Sequence, residues 1–162
     1  ERLWATGRQE YVTGKPASSE QTSCILCEVA KIPDNSEQNT HVYSGSHCAV
    51  VLNAFPYTNG HVMIVPYEHV DGLDQVTADA RSEMFDLLYR TTLAIQGAYS
   101  PDGLNLGANI GQGSGAGIPD HLHFHALPRW NSDTNFMTTV VGARVIPEDL
   151  ALTLEKLRLN FK

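Results

Sequence analysis

The chain has 162 residues, of which 42% are hydrophobic and 18% are charged, and its formal net charge is −7 at pH 7. This length and composition predict a single globular domain with a sizeable core. The acidic balance argues against non-specific binding to nucleic acid or to membrane surfaces, and no apolar run is long enough to span a bilayer. Any phosphate group that binds here must therefore be held by local donors.

The cysteines bear on the compartment in which the protein works. Their number, three, is odd, and two of them stand as Cys24-x-x-Cys27, which argues against a disulfide framework and favours a reducing compartment. We therefore expect a cytoplasmic protein. Residues 1–23, with several Gly, Pro and Ser, are predicted to form an extended arm ahead of one domain over residues 24–162.

A short helical segment opens with this cysteine pair and runs to about Lys31. The spacing of Cys24 and Cys27 leaves three interpretations open: a redox pair, half of a zinc site, or two small buried hydrophobic side chains. A zinc site would need two further ligands from elsewhere in the chain.

Strand-like and helical runs follow in the first two thirds of the chain. A short strand is predicted near His41–Tyr43, and the apolar runs His47–Asn53 and His61–Pro66 are joined by a turn, as in an antiparallel pair. The period becomes helical from Thr77 to Tyr99, with Thr77 as the N-cap. The apolar face of this helix is predicted to comprise Met84, Leu87, Leu88, Thr91, Ile95 and Ala98.

A glycine-rich loop comes next. The segment Leu104–Ile110 alternates like a strand and carries Asn109 to the loop Gly111–Gly117. Consecutive backbone N–H groups of such a loop can form an anion nest, to which Gln112 and Ser114 add side-chain donors. The loop alone is a weak signal, because it can equally be a flexible turn.

Three histidines then recur at every second position, at His121, His123 and His125. In a β-strand these side chains lie on one face. The residues predicted to face the core are Leu122, Phe124 and Ala126. Imidazoles beside a glycine-rich loop favour an anionic substrate such as a phosphate ester; a metal-binding strand or a merely polar strand face is the alternative.

The end of the chain completes the predicted fold. A short strand is expected at Met137–Val141, and a last helix is expected to begin at Pro147, with Glu148 and Asp149 in its first turn. Because strands and helices do not alternate strictly, the predicted class is α+β. The expected architecture is an antiparallel sheet of about five strands with one long and one C-terminal helix.

The spacing His-x-His-x-His followed by two apolar residues resembles the signature of the histidine triad family of nucleotide hydrolases and transferases. The flanking segments Gly115–Asp120 and Pro128–Trp130 are similar to the diadenosine tetraphosphate (Ap4A) phosphorylase branch. This resemblance covers most of the chain, from about Leu3 to the last helix. It implies the HIT-like fold and a homodimer or higher oligomer in which the long helix pairs with its symmetry mate.

The resemblance also bears on the cysteine pair. In metal-containing members of the family, the other two ligands are a histidine after the second core strand and the first histidine of the triad, and the matching residues here are His69 and His121. It therefore implies a structural zinc site formed by Cys24, Cys27, His69 and His121.

The middle histidine, His123, is our predicted nucleophile, since a neutral imidazole nitrogen can attack an α-phosphorus and form a covalent nucleotidyl-histidine. His125 is expected to donate to phosphate oxygens or to the leaving oxygen, and His121 to bind zinc or, without metal, to orient His123. The resemblance places Asn53 at the ribose hydroxyls and His61 beside the catalytic histidine. The other predicted substrate-binding residues are Asn109, Gln112, Ser114, Gly115, Ala116, Gly117 and Trp130.

The implied reaction is the cleavage of diadenosine polyphosphates with inorganic phosphate as acceptor, giving ATP and ADP. The partners are thus a nucleotide and phosphate. The alternatives are a hydrolase of dinucleoside polyphosphates or nucleoside phosphoramidates, with water as acceptor, and a non-catalytic nucleotide-binding module.

Overall fold

The computed structural model describes residues 23–32, 40–131, 133 and 148–162. Within these residues, one five-stranded antiparallel sheet has the order β1-β2-β3-β5-β4. Its strands are β1 (His41–Ser44), β2 (Cys48–Leu52), β3 (Val62–Pro66), β4 (Gly103–Ala108) and β5 (Phe124–Arg129). The helices are α1 (Ile25–Val29), α2 (Ala78–Tyr99) and α3 (Leu150–Asn160). The predicted α+β architecture, with its long and C-terminal helices, is confirmed.

Some predicted elements lie in residues that the structure does not describe. Residues 1–22 of the predicted arm, the predicted strand Met137–Val141 and Pro147 lie outside the described residues. The last helix begins at Leu150, later than predicted. Asp149 is its N-cap and not a first-turn residue, because its side chain accepts a hydrogen bond from the backbone N–H of Leu152 at 2.8 Å.

The sheet is covered on both faces, which explains why β2 and β3 are continuous apolar runs without alternation. On one face α2 and α3 pack over the main core, which includes Val50, Ile64, Leu87, Leu122 and Leu157. On the other face a smaller core surrounds α1. It consists of Leu26, Ala30, Ala49, Val51, Met63 and Val65.

The long helix α2 forms as its sequence predicts. The side chain of Thr77 accepts a hydrogen bond from the backbone N–H of Ala80 at 3.3 Å, and Ser100 ends the helix in the left-handed conformation with φ of 45°. Five of the six residues predicted for its apolar face are buried, and Ala98 packs against the same core. None of the described helices has the length and apolarity needed to cross a bilayer.

The turn between β2 and β3 is held in place by a glycine. Gly60 has φ of 73°, and a Cβ at this position would lie 2.8 Å from the ring of Tyr99. Both the backbone conformation and the close approach therefore require glycine. The turn delivers His61 to the start of β3.

A half-buried carboxylate, just before α3, joins that helix to α2. Glu148 accepts hydrogen bonds from the hydroxyls of Tyr99 at 2.5 Å and Thr153 at 2.8 Å, and it forms an ion pair with Lys156. Burial alone raises the pKa of the Glu148 carboxyl, but these three donors together outweigh burial and lower its pKa.

Candidate functional site

The triad histidines straddle the start of the central strand β5. The strand begins at Phe124, so His125 alone of the three lies within it, and the prediction of a strand over the whole motif needs correction. Before Phe124 the chain leaves the ladder with β3, and the backbone N–H of Leu122 donates instead to the carbonyl of Val70 at 2.6 Å. The predicted core side is confirmed: Leu122 and Ala126 are buried, and Phe124 packs against the same core.

His123 is buried and its tautomer is defined by its neighbour. Its side chain is 4% exposed, and Nδ1 lies 2.8 Å from the backbone carbonyl of His121. Because a carbonyl can only accept, Nδ1 carries the proton and Nε2 has a lone pair. Burial lowers the pKa of His123 and outweighs the opposing effect of this hydrogen bond, which favours the neutral imidazole.

A chain of hydrogen bonds defines the tautomer of His125 in the same way. The backbone N–H of Tyr57 donates to Nδ1 of His61 at 3.1 Å, so the proton of neutral His61 is on Nε2. That nitrogen lies 2.9 Å from Nδ1 of His125, which must then accept. The proton of neutral His125 is therefore on Nε2. His61 itself is 1% exposed and lies behind His125 as a buried support.

The two catalytic candidates line an open cleft whose empty space, together with the adjoining solvent, amounts to about 810 Å³. Its polar lining is made by His123, His125, Asn53, Asn109 and Thr40. Its apolar lining includes Ile25, Leu26, Val29, Leu52, Met63 and Ile118. The predicted residues Asn53, Asn109 and Gly117 thus meet at the cleft with the histidines.

The rest of the glycine-rich loop lies elsewhere. Gln112, Ser114, Gly115 and Ala116 are not among the described residues that line the cleft. The loop folds on itself, because the Ser114 hydroxyl donates to the carbonyl of Gly111 at 2.6 Å and accepts from the N–H of Ala116 at 3.4 Å. The predicted contact of these residues with phosphate stays a prediction.

Trp130 also lies away from the cleft lining. It follows the end of β5 opposite to the histidines, and its ring makes an edge-to-face contact with Tyr99 at a centroid distance of 6.4 Å. Neighbouring Arg129 forms an ion pair with Asp133. The predicted contact of Trp130 with substrate stays a prediction.

Two features of the cleft were missed in the sequence. The first is Tyr57, whose ring centroid lies 4.7 Å from that of His61 and 6.0 Å from that of His125. The second is the apolar wall contributed by α1. The apolar residues interleaved with the cysteine pair at Ile25 and Leu26 were the available signal for that wall.

The predicted metal ligands come together beside this site. One nitrogen or sulfur atom from each of Cys24, Cys27, His69 and His121 lies within 4.8 Å of all the others. Sγ of Cys24 is 3.3 Å and Sγ of Cys27 is 3.4 Å from Nδ1 of His121, and Sγ of Cys27 is 3.3 Å from Nδ1 of His69. We call these four residues the Cys2His2 group.

The donor distances and the protonation of His121 in the Cys2His2 group suit a metal ion. Ligands on a tetrahedral zinc ion are separated by about 3.5 Å for sulfur and nitrogen, close to the distances found here. Nε2 of His121 lies 3.0 Å from the carbonyl of Pro66, so the proton of the neutral ring is on Nε2 and the lone pair of Nδ1 points at the thiols. These four residues can therefore hold a metal ion.

Comparisons with known proteins agree with this geometry. Residues 35–132 match the model of the HIT domain. An AP-4-A phosphorylase from Mycobacterium tuberculosis is 33% identical over 91% of this chain and 77% of its own length. An adenosine 5'-monophosphoramidase from Schizosaccharomyces pombe is 24% identical over 86% of this chain and 99% of its own length.

Solved structures share the fold. A histidine triad nucleotide-binding protein from Sulfolobus tokodaii superposes with a TM-score of 0.67 at 26% identity, covering 85% of this chain and 91% of that chain. A Zn-bound histidine triad family protein from Mycobacterium smegmatis superposes with a TM-score of 0.66 at 24% identity, covering 86% of this chain and 93% of that chain. The chain belongs to the histidine triad (HIT) family of nucleotide-processing enzymes.

Proposed function

We propose that this protein cleaves diadenosine polyphosphates such as Ap4A, with inorganic phosphate as acceptor, and releases ATP and ADP. The proposal is supported above all by the state of His123, a buried neutral imidazole that lines the cleft. Its Nδ1 donates to the carbonyl of His121, which leaves the lone pair on Nε2. The resemblance to the mycobacterial AP-4-A phosphorylase supports this choice of substrate.

The proposed reaction has two displacements at one phosphorus atom. Nε2 of His123 bonds to the α-phosphorus, and the bond from that phosphorus to the bridging oxygen breaks with its electron pair on the oxygen, which leaves as ATP. An oxygen of inorganic phosphate then attacks the same phosphorus. The nitrogen–phosphorus bond breaks, the pair returns to His123, and the product is ADP.

His125 is the proposed proton donor. The hydrogen bonds from Tyr57 through His61 place its proton on Nε2, on a ring that lines the cleft. From there it can donate to a phosphate oxygen or to the leaving oxygen of ATP. Proton donation of this kind typically contributes about 10²- to 10⁴-fold to a rate.

The polar and the apolar residues of the cleft lining suit the two parts of a nucleotide. The amides of Asn53 and Asn109 can donate to and accept from ribose hydroxyls and phosphate oxygens. The apolar side chains of Leu52, Ile118 and α1 suit a nucleobase. We place the other predicted phosphate donors, in the loop Gly111–Gly117, at the mouth of this cleft when substrate is bound.

We propose that the Cys2His2 group holds a structural zinc ion, as the description of the Mycobacterium smegmatis relative suggests. All four ligand positions are then filled by the protein, so the ion supplies cross-linking and not a site for substrate. It would also orient the backbone of His121, whose carbonyl accepts from His123.

We further propose a cytoplasmic homodimer that pairs through α2. Phe85, Tyr89 and Leu93 stand on successive turns of this helix and are 60%, 62% and 48% exposed. Phe85 also lies near Phe124 of β5, at a ring-centroid distance of 6.0 Å, and in the neighbouring edge strand β4 Leu106 is 50% exposed. Tyr89→Glu should convert the dimer to a monomer in light-scattering measurements, whereas Lys31→Glu, elsewhere on the surface, should not. An unchanged mass for Tyr89→Glu would rule out this interface.

Product analysis tests the proposed reaction. The protein is incubated with Ap4A, with and without inorganic phosphate, and the nucleotides are separated. ATP with ADP, formed only when phosphate is present, is the expected result. ATP with AMP in the absence of phosphate would show a hydrolase and refute the choice of acceptor while keeping His123. Binding of AMP without turnover or a covalent adduct would support a non-catalytic module instead.

A further inference from the structure

The short helix α1 belongs to two sites at once. Cys24 and Cys27, at its start and in its first turn, contribute the two sulfurs of the Cys2His2 group. Between and after them, Ile25, Leu26 and Val29 line the cleft. One helical turn thus carries metal ligands on one side and a wall of the proposed nucleotide site on the other.

Among the described residues, α1 is held on the sheet by its buried side chains and by polar contacts. Leu26 and Ala30, each 2% exposed, pack into the smaller core, and Nε2 of His41 donates to the carbonyl of Val29 at 2.5 Å. The Cys2His2 group adds a link from α1 to the loop after β3 through His69 and to the residues before β5 through His121.

The wall that α1 provides is apolar, whereas the polar groups of the cleft come from elsewhere. Asn53, Asn109, His123 and His125 lie on strands or on the segments that join them, and none belongs to α1. Displacement of α1 would therefore remove contacts to the flat apolar part of a ligand and leave the contacts to ribose and phosphate in place.

We propose that the Cys2His2 group is a positioning site for the nucleobase: zinc bound there fixes α1 as a wall of the cleft, so zinc occupancy and nucleotide affinity are coupled. The inference rests on the proposed nucleotide function and deepens it. By linkage, zinc must tighten nucleotide binding by the same factor by which nucleotide tightens zinc binding. The residues that transmit the coupling are Cys24 and Cys27 on one side of α1 and Ile25 and Val29 on the other.

Binding measurements on the unreactive variant His123→Asn test the coupling without turnover. Titration calorimetry gives the affinity for AMP and for ribose 5-phosphate, which lacks the base, in the zinc-loaded protein and after chelation. We expect zinc removal to weaken AMP about tenfold, the size of a typical coupling between sites, and to weaken ribose 5-phosphate by less than about twofold. In the reverse direction, saturating AMP should tighten zinc about tenfold against a chromophoric chelator.

Two further variants separate this effect from general damage. His69 is exposed and does not line the cleft, so His69→Asn can affect AMP only through zinc. We expect this variant to lower the affinity for zinc and for AMP together. The matched variant His47→Asn, at another exposed histidine, should change neither affinity. In the double variant Ile25→Ala with Val29→Ala, AMP should already bind weakly, and zinc removal should then have less than about a twofold further effect, because the wall that zinc positions is gone.

Equal AMP affinity with and without zinc would overturn the inference. An equal loss for AMP and ribose 5-phosphate would overturn it too, because the effect would then arise from unfolding or from the histidines and not from α1. If zinc-loaded protein failed to bind AMP at all, the proposed function would be refuted, and the inference would fall with it.

Discussion

His61 offers a sharp test of the proposed proton donor, because its two ring nitrogens have separate partners. Nδ1 accepts from the backbone of Tyr57 and Nε2 donates to His125. In His61→Asn, the amide oxygen stands where Nδ1 was and can keep the bond to Tyr57, but the side chain is too short to reach His125. In His61→Gln, the amide nitrogen can reach the position of Nε2 and still donate to His125.

The expected loss follows from the one hydrogen bond that distinguishes these variants. A single hydrogen bond has a net value of about 0.5–1.5 kcal/mol, so His61→Asn should lower kcat about 2- to 12-fold, whereas His61→Gln should stay within about twofold of the parent. Removing the donor itself in His125→Ala should cost about 10²- to 10⁴-fold. The assay is steady-state release of ATP from Ap4A, normalised to folded protein by near-UV circular dichroism.

Two results would refute this reasoning. If His61→Asn were as inactive as His125→Ala, His61 would itself take part in the chemistry. If both His61 variants had the parent's kcat, the tautomer of His125 would not depend on this chain of hydrogen bonds.

Three other predictions concern catalysis and stability. His123→Ala should abolish turnover and the adenylylated intermediate seen by mass spectrometry, with unchanged circular dichroism; near-normal turnover would exclude it as the nucleophile. Because the folded-state pKa of Glu148 is lowered, its stabilising effect is present above the unfolded pKa of about 4.3 and is lost as pH falls through the folded value. Glu148→Gln should therefore lower the urea midpoint at neutral pH, with a difference that shrinks toward about pH 3; a constant difference would contradict this assignment. Leu157→Ala, at a position 1% exposed, should reduce the free energy of unfolding by about 2–5 kcal/mol in urea titrations, and a loss below about 1 kcal/mol would show that α3 is not part of the main core.

Much of the fold could be predicted because local signals and burial agree. The apolar runs of β2 and β3 and the 3.6-residue period of α2 specify their elements, and Thr77 caps its helix as expected. The start of β5 was misplaced because alternation describes side-chain direction and not hydrogen bonding. The chain around His121 and His123 keeps the alternation while Leu122 pairs with Val70 in place of β3.

The site residues that belong to a sequence pattern could be predicted. Those whose position depends on how a loop folds could not. The histidines and the Cys2His2 ligands are identified by spacing and resemblance, and the structure brings the ligands together. Tyr57 acts through its backbone N–H, which no side-chain pattern reveals. The position of Ser114 depends on how its loop folds, and the sequence offers only a list of available donors there.

The location of β5 in the sheet has a consequence for how this protein can fail and how it can diverge. β5 lies between β3 and β4 with Ala126 in the main core, and His123 and His125 stand just before and within this strand, so we expect both to be displaced only when the core itself opens. Turnover at saturating nucleotide should therefore be lost in denaturant together with global unfolding and not before it. Substitutions in the residues that line the cleft can then change substrate specificity at little cost in stability. Substitutions around the histidines would lower the stability of the whole domain.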